Sequence, residues 1–414
     1  GIRLFDDAVL GFAREGPHQH ISFAEFHIQF DPQHPPNDPD AWSSRAGQAR
    51  QDWGSKLFRY VRQTNSYDPT DGVVKSHPVA RAFMYTYLAR WMSDFQLDGL
   101  RLDSIETVAN WDFVGTFAAQ ARQSVRDRAQ AQGVAQSAAD ARFLVVGEEL
   151  NLPLDIIRQG RVDALWNDNF RKFIRAALFG NNAEGEPSFE WTVRKAIDCK
   201  LLGFTDGAQA VNYITSHDVE GPQKERLCTS FRYANFGNDD IARRVKLGFA
   251  CLMTAVGIPM FLAGEEFADE NDLFDIHGNV SNNSGKQIDP VDFSRLEGDE
   301  NAWRRDVRDV VARLIKLRTS HAAPGRNECD IIHTDFTPGR RVLAWQRGLD
   351  SDPVVVVANF SDFASGGSEY RVNNWPQLTG GKHWREITQD RAVPDDWAGR
   401  ESLFPWEAKV YVMA

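Results

Sequence analysis

Cysteine is scarce in this 414-residue chain: four in all, Cys199, Cys228, Cys251 and Cys329, none at C-x-x-C spacing. That excludes a disulfide-stapled scaffold or a zinc ribbon and leaves reduced, buried thiols as the expectation. No stretch reaches the roughly 18 consecutive apolar residues of a membrane-spanning helix. Positive charge is in deficit, with 47 Lys and Arg against 58 Asp and Glu, net −11. Such a balance argues against a surface built for nucleic acid or an anionic membrane. Asp6, Asp7 and the histidines lack the ligand spacing of a metallohydrolase, so no metal is expected. No signal peptide is visible; the compartment is left open, with the cytoplasm favoured.

What is present alternates. After a stretch at 12–75 rich in His, Gln, Asp, Pro and Gly, with no sustained period, "SHPVARAFMYTYLARWMSDF" places Val79, Phe83, Tyr87, Trp91 and Phe95 at i, i+4 spacing. This predicts an amphipathic helix capped by Ser76, its aromatic stripe packed on a sheet. "QLDGLRL" then reads as a strand, 112–141 as a helix and "RFLVVGEEL" as a buried parallel strand, and "VDALWND", "AQAVNYITSHD" and "IPMFLAGEE" repeat the theme between helical stretches. Strand–helix alternation predicts a parallel α/β fold, and each strand delivers polar or acidic residues at its C-terminal end, where a (β/α)8 barrel carries its site. Beyond residue 322 the runs are short and β-rich, which predicts a small all-β sandwich. The expected organisation is a catalytic barrel over 1–321, including the 12–75 excursion, and a β-sandwich over 322–414.

Three strand ends carry acids: Asp103, the Glu148–Glu149 pair, and Asp218 beside His217. Each alone has a bland explanation as a loop cap or salt-bridge partner. Together they suit retaining glycoside hydrolysis, which needs a carboxylate nucleophile and a second carboxyl, about 5–5.5 Å away, acting first as acid and then as base. A third carboxylate keeps the acid protonated by repulsion and can bind sugar hydroxyls. Arg101 lies two residues before Asp103, on the same strand face, where a cation would hold Asp103 ionised.

"DGLRLDSIE", "FLVVGEEL" and "YITSHDVEG", in that order, resemble the second, third and fourth signature regions of the α-amylase family, glycoside hydrolase family 13. "GIPMFLAGEEFA" is similar to its eighth barrel strand, "KQIDPVDFSR" to the segment that follows, and "LFPWEAKVYVMA" to the end of its C-terminal sandwich. The resemblance implies Asp103 as nucleophile supported by Arg101, Glu148 as general acid/base, Asp218 as transition-state stabiliser and His217 as a donor to the −1 sugar. Glu149 is then an outer acid. The first signature region departs: Asp7 of "FDDAVLGFA" matches its aspartate, but Gly11 stands for the usual asparagine and Phe12 for the usual histidine. Phe12 can therefore only stack or wall the pocket, and the departure at Gly11 argues against a structural calcium. Glu106 and Thr107 also depart, so substrate choice is not inherited.

By the same resemblance "GIRLFDD" is a third barrel strand, and the natural protein is expected to be longer, with an N-terminal segment completing the barrel. Trp53, Phe58, Tyr60, Trp111 and Trp166 read individually as ordinary core aromatics first, with stacking on sugars as the alternative. The function implied is a retaining α-glucoside hydrolase acting on α-1,4- or α-1,6-linked glucans or maltooligosaccharides, without a cofactor. The signature forms lean towards the debranching, branching and trehalose-releasing members. The alternatives are a transglycosylase, such as a glucan branching enzyme, and a non-catalytic carbohydrate-binding homologue.

Overall fold

The structure is a computed structural model and describes residues 2–13, 23–27, 40, 56–220, 226–272, 289–348, 352–378 and 380–414. The chain divides into two compact units, Gly1–Trp166 and Asn167–Ala414.

In the first unit β1 (Phe5–Val9), β6 (Gly99–Asp103), β7 (Leu144–Gly147) and β8 (Ala164–Asn167) lie side by side and parallel. Between β1 and β6 come two antiparallel pairs, β2 (Phe12–Ala13) with β3 (Lys56–Leu57) and β4 (Thr64–Asp68) with β5 (Val73–His77). Side chains alternate across a strand, and here the alternation sorts chemistry from packing. Leu100, Leu102, Val145 and Leu165 share a core with the helices Val79–Asp94 and Trp111–Ala131. Gly99, Arg101 and Asp103 take the opposite face. Phe113 and Phe117, both fully buried, each contribute about 1.5–3 kcal/mol to this core. The outer edge of β1 has no strand partner among the described residues, and Phe5 and Val9 remain 43% and 44% exposed.

Three local expectations are corrected. The core stripe of helix Val79–Asp94 is Ala80, Met84, Leu88 and Met92, one residue on from the predicted aromatic stripe. Phe83, Tyr87 and Trp91 instead form a half-buried ladder along the helix flank, with ring centroids 4.9 and 6.1 Å apart. Both stripes have helical period, and flexible methionine fills the tighter side. The helix starts after Pro78, while Ser76 pairs with Asn65 in the β4–β5 hairpin. The helix predicted at 112–141 ends at Ala131 and resumes as a short turn at Gln136–Asp140, with Gly133 at φ +69° between them. Most of the 12–75 excursion, Trp53 included, lies outside the described residues.

In the second unit β9 (Ala210–Tyr213) and β10 (Ile258–Met260) pair in parallel. The C-terminal β domain is a single antiparallel sheet in the order β11-β12-β13-β16-β14-β15, comprising Cys329–Asp335, Val342–Arg347, Val354–Asn359, Ala408–Met413, Trp384–Glu386 and Arg391–Ala392 respectively. β13 reads "VVVVAN" because both its faces are covered. Val354, Val356 and Ala358 share a core with the helices Asp168–Leu178, Asn238–Thr254 and Ala302–Ser320. Val355 and Val357 face Trp384 and Tyr411, with irregular chain around Tyr370 and Leu403 supplying the second layer. The helices and the sheet thus share one core across residue 322. That common packing is why the compact units divide at Trp166/Asn167, inside the 1–321 segment expected from sequence.

One glycine is demanded by both backbone and space. Gly257 sits at φ +143°, and a β-carbon there would lie 2.2 Å from the Asn212 side-chain nitrogen. Asn212 is itself fully buried and bonded to Asn167 (2.8 Å) and to the Val256 carbonyl (3.0 Å). Gly257→Ala is expected to cost about 2–4 kcal/mol through combined strain and overpacking. Chemical denaturation checks this, and a variant within 0.5 kcal/mol of wild type, the usual scale of a neutral surface change, contradicts it.

Candidate active site

The first unit assembles a cluster of charges at the C-terminal ends of its strands. Register pairs Arg101 with Asp7 on one side and with Val146 on the other, and Leu102 with Gly147. One residue on, Asp103 and Glu148 reach the same level. Arg101 binds three acids at once: its guanidinium donates to Asp7 Oδ1 (2.5 Å), Asp103 Oδ1 (2.6 Å) and Glu148 Oε2 (2.7 Å). The side chains of Arg101 and Glu148 are only 9% and 11% exposed, that of Asp103 16%, and Asp7 is the outer member at 49%. Burial works against the Arg101 charge, but Glu148, Asp7 and Asp103 outweigh it and hold its pKa above the ordinary arginine range.

Glu148 has further anchors. Its backbone N–H donates to the Leu102 carbonyl (2.9 Å), and its Oε2 accepts the Ser104 N–H (2.8 Å). Ser104 adopts φ +40°, a left-handed conformation a serine rarely takes, and its hydroxyl and that of Thr107 are 2.6 Å apart. Strain of this kind immediately after Asp103 marks a position that the surroundings over-determine. Gly147 fits for a steric reason: a β-carbon there would stand 2.8 Å from Ile105 Cδ1 and 3.1 Å from Leu165 Cδ2.

The second unit carries the other pair. His217 and Asp218 open a single helical turn, His217–Glu220, just after β9, with Nε2 of the histidine 3.3 Å from Asp218 Oδ2. The structure therefore groups Arg101, Asp103, Glu148 and Asp7 in one unit and His217 with Asp218 in the other. Glu149 accepts from Asn151 (3.2 Å), which also donates to Glu106 (3.3 Å).

The aromatic expectations fare differently. Trp166 is 5% exposed, and the Arg101 guanidinium lies 4.3 Å from its ring centre, so its ring supports the arginine rather than offering an open stacking face. Phe58 and Tyr60 are core residues, Tyr60 stacking on Phe113 with centroids 3.9 Å apart. Trp111 packs half-buried against the same core. Phe12 pairs through its backbone with Leu57, and its side chain lies outside the described residues. Among the described residues no group of three or more His, Cys, Asp or Glu side chains is placed to hold a metal ion. Cys199, Cys228 and Cys251 are buried free thiols, and Cys329 is half-buried.

Sequence reading missed a buried polar network behind His217–Glu220. Arg226, 2% exposed, lies 3.4 Å from Glu220, 3.7 Å from Glu265 and 3.9 Å from Asp269. Burial pushes Glu265 up to about 7 despite Arg226. Burial, then a hydrogen bond with Asp289, pushes Glu220 up to about 7, with Arg226 opposing. A raised carboxyl pKa means the folded state holds a proton that the unfolded chain, near 4.5, has released. Stability therefore falls as pH rises from about 4.5 to about 7 and levels off above that. Glu265→Gln removes this contribution, so its melting temperature is expected to gain on wild type across that window. Melting curves that stay parallel between pH 4.5 and 7.5 contradict the assignment.

No family model matches the chain. It is 20% identical over 280 residues to the malto-oligosyltrehalose trehalohydrolase of Saccharolobus solfataricus, covering 58% of this chain and 46% of that protein. The chain thus spans about half the length of that curated relative. Its whole length superposes on the α-amylase of Geobacillus thermoleovorans, a structure complexed with acarbose, with a TM-score of 0.67, 16% identity and 77% of that chain covered. It also superposes on the type I pullulanase of Bacillus subtilis, complexed with maltose, with a TM-score of 0.64, 17% identity and 54% of that chain covered. The fold is that of the α-amylases and pullulanases: a parallel (β/α) barrel, here six strands among the described residues, followed by a β domain.

Proposed function

We propose that this chain is a glycoside hydrolase of the α-amylase family that cleaves α-glucosidic bonds with retention of configuration. The observation that carries this is the Arg101 bridge. Asp103 and Glu148 sit on two nitrogens of one guanidinium, which brings together the two carboxyls that double displacement needs. The similarity to glucan-active enzymes supports the substrate class.

In the proposed reaction an Asp103 carboxylate oxygen attacks the anomeric carbon as the glycosidic bond breaks. Glu148 gives its proton to the departing oxygen. Water, giving a proton to Glu148, then attacks the anomeric carbon as its bond to Asp103 breaks, which releases the sugar and restores the Asp103 carboxylate. Arg101 keeps Asp103 an anion and fixes the geometry of both acids. By the resemblance to the α-amylase family, Asp218 and His217 are the groups assigned to stabilise charge and hydroxyls on the sugar in the transition state.

Proton NMR of the anomeric region during incubation with a maltooligosaccharide tests this. New reducing ends appearing first as the α-anomer are expected. First-formed β-anomer contradicts retention, and new inter-sugar linkages without reducing ends replace hydrolysis by transfer.

A further inference from the structure

The turn that carries His217 and Asp218 is only four residues long, too short to hold its own shape in water. What holds it is Asn271, a residue 53 positions beyond Asp218 and 5% exposed. The Asn271 side-chain N–H2 donates to both the backbone carbonyl of Glu220 (3.0 Å) and its carboxyl Oε1 (3.1 Å). Asn271 is in turn fixed by its own backbone N–H, which donates to Thr229 Oγ1 (2.7 Å). Glu220 closes the turn through its N–H to the Ser216 carbonyl (3.0 Å) and receives Arg226 Nε at 3.4 Å.

From this geometry we infer that Asn271 and Glu220 are positioning residues that clamp the His217–Asp218 turn in its catalytic orientation. Neither touches the sugar in this assignment; both act through Asp218. The inference rests on the role proposed above for Asp218. A carboxylate that stabilises only the transition state affects kcat when misplaced, and a shift of about 1 Å can cost roughly 100-fold.

The test compares Asn271→Ala, Glu220→Ala and Glu220→Gln with wild type on one maltooligosaccharide, with Asp103→Asn and Asp218→Asn as controls and circular dichroism as the check on folding. Asn271→Ala and Glu220→Ala are expected to lose kcat by about 100-fold with KM within about threefold. Glu220→Gln keeps an oxygen acceptor for Asn271 and is expected to recover most of that loss. Folded alanine variants with wild-type kcat overturn the clamp. So does a Glu220→Gln variant no better than Glu220→Ala, or a loss confined to KM. An active Asp103→Asn or Asp218→Asn enzyme instead overturns the functional assignment on which the clamp depends.

Discussion

Asp103→Asn is expected to lower kcat by about 10⁴-fold or more, the scale seen when the reacting group of a catalytic unit is removed. The substituted amide has nearly the shape of the carboxyl and still presents an oxygen to the Arg101 N–H, so the fold and binding are expected to survive. What disappears is the anion that forms the glycosyl ester. Glu148→Gln is expected to lose a similar factor on a maltooligosaccharide, where the leaving oxygen needs a proton. On a glycosyl fluoride, whose leaving group needs far less protonation, the first step is expected to recover. Steady-state rates on both substrates check the pair of roles. An Asp103→Asn enzyme retaining a tenth of wild-type kcat, or a Glu148→Gln enzyme with equal deficits on both substrates, contradicts them.

Arg101→Ala is the second large effect, and it strikes stability and activity together. The side chain is the buried cation to three acids, and its removal leaves Asp103 and Glu148 facing each other at the sheet's end. Breaking a buried pair by removing one partner costs about 3–5 kcal/mol. Asp7, half exposed, contributes little of that. For a unit of this size the loss is a fall of roughly 10 °C in melting temperature. Arg101→Lys is expected to rescue little, because an ammonium cannot span the acids in the fixed plane that the fork provides, nor lie flat over Trp166. Calorimetry with activity assays decides the matter; an alanine variant that melts with wild type would show the bridge to be energetically idle.

Much of the site's location was legible because strand chemistry is periodic. Acids at the ends of apolar runs stand out, and alternation puts Gly99, Arg101 and Asp103 on one face without any knowledge of neighbours. The β domain was readable for a similar reason, since "VVVVAN" is affordable only where both faces are covered. The aromatic assignments were less secure. Core packing and sugar stacking both fit Trp166, Phe58 and Tyr60 in sequence, and the structure buries all three, since a sequence shows an aromatic ring but not what lies against its face.

By itself, the sequence determined the alternation of strands and helices, the faces of the strands and the short-range order of the charged groups. Those depend on local geometry and on periods of two and about four residues. Only the tertiary structure decided that one guanidinium serves Asp7, Asp103 and Glu148, that Ser104 is twisted to φ +40° to present its N–H, and that Asn271 grips the turn bearing Asp218. Apart from Arg101–Asp103, these contacts join residues 44 to 94 apart. No local pattern encodes them, because the partners meet only when separate strands are brought into register and buried together.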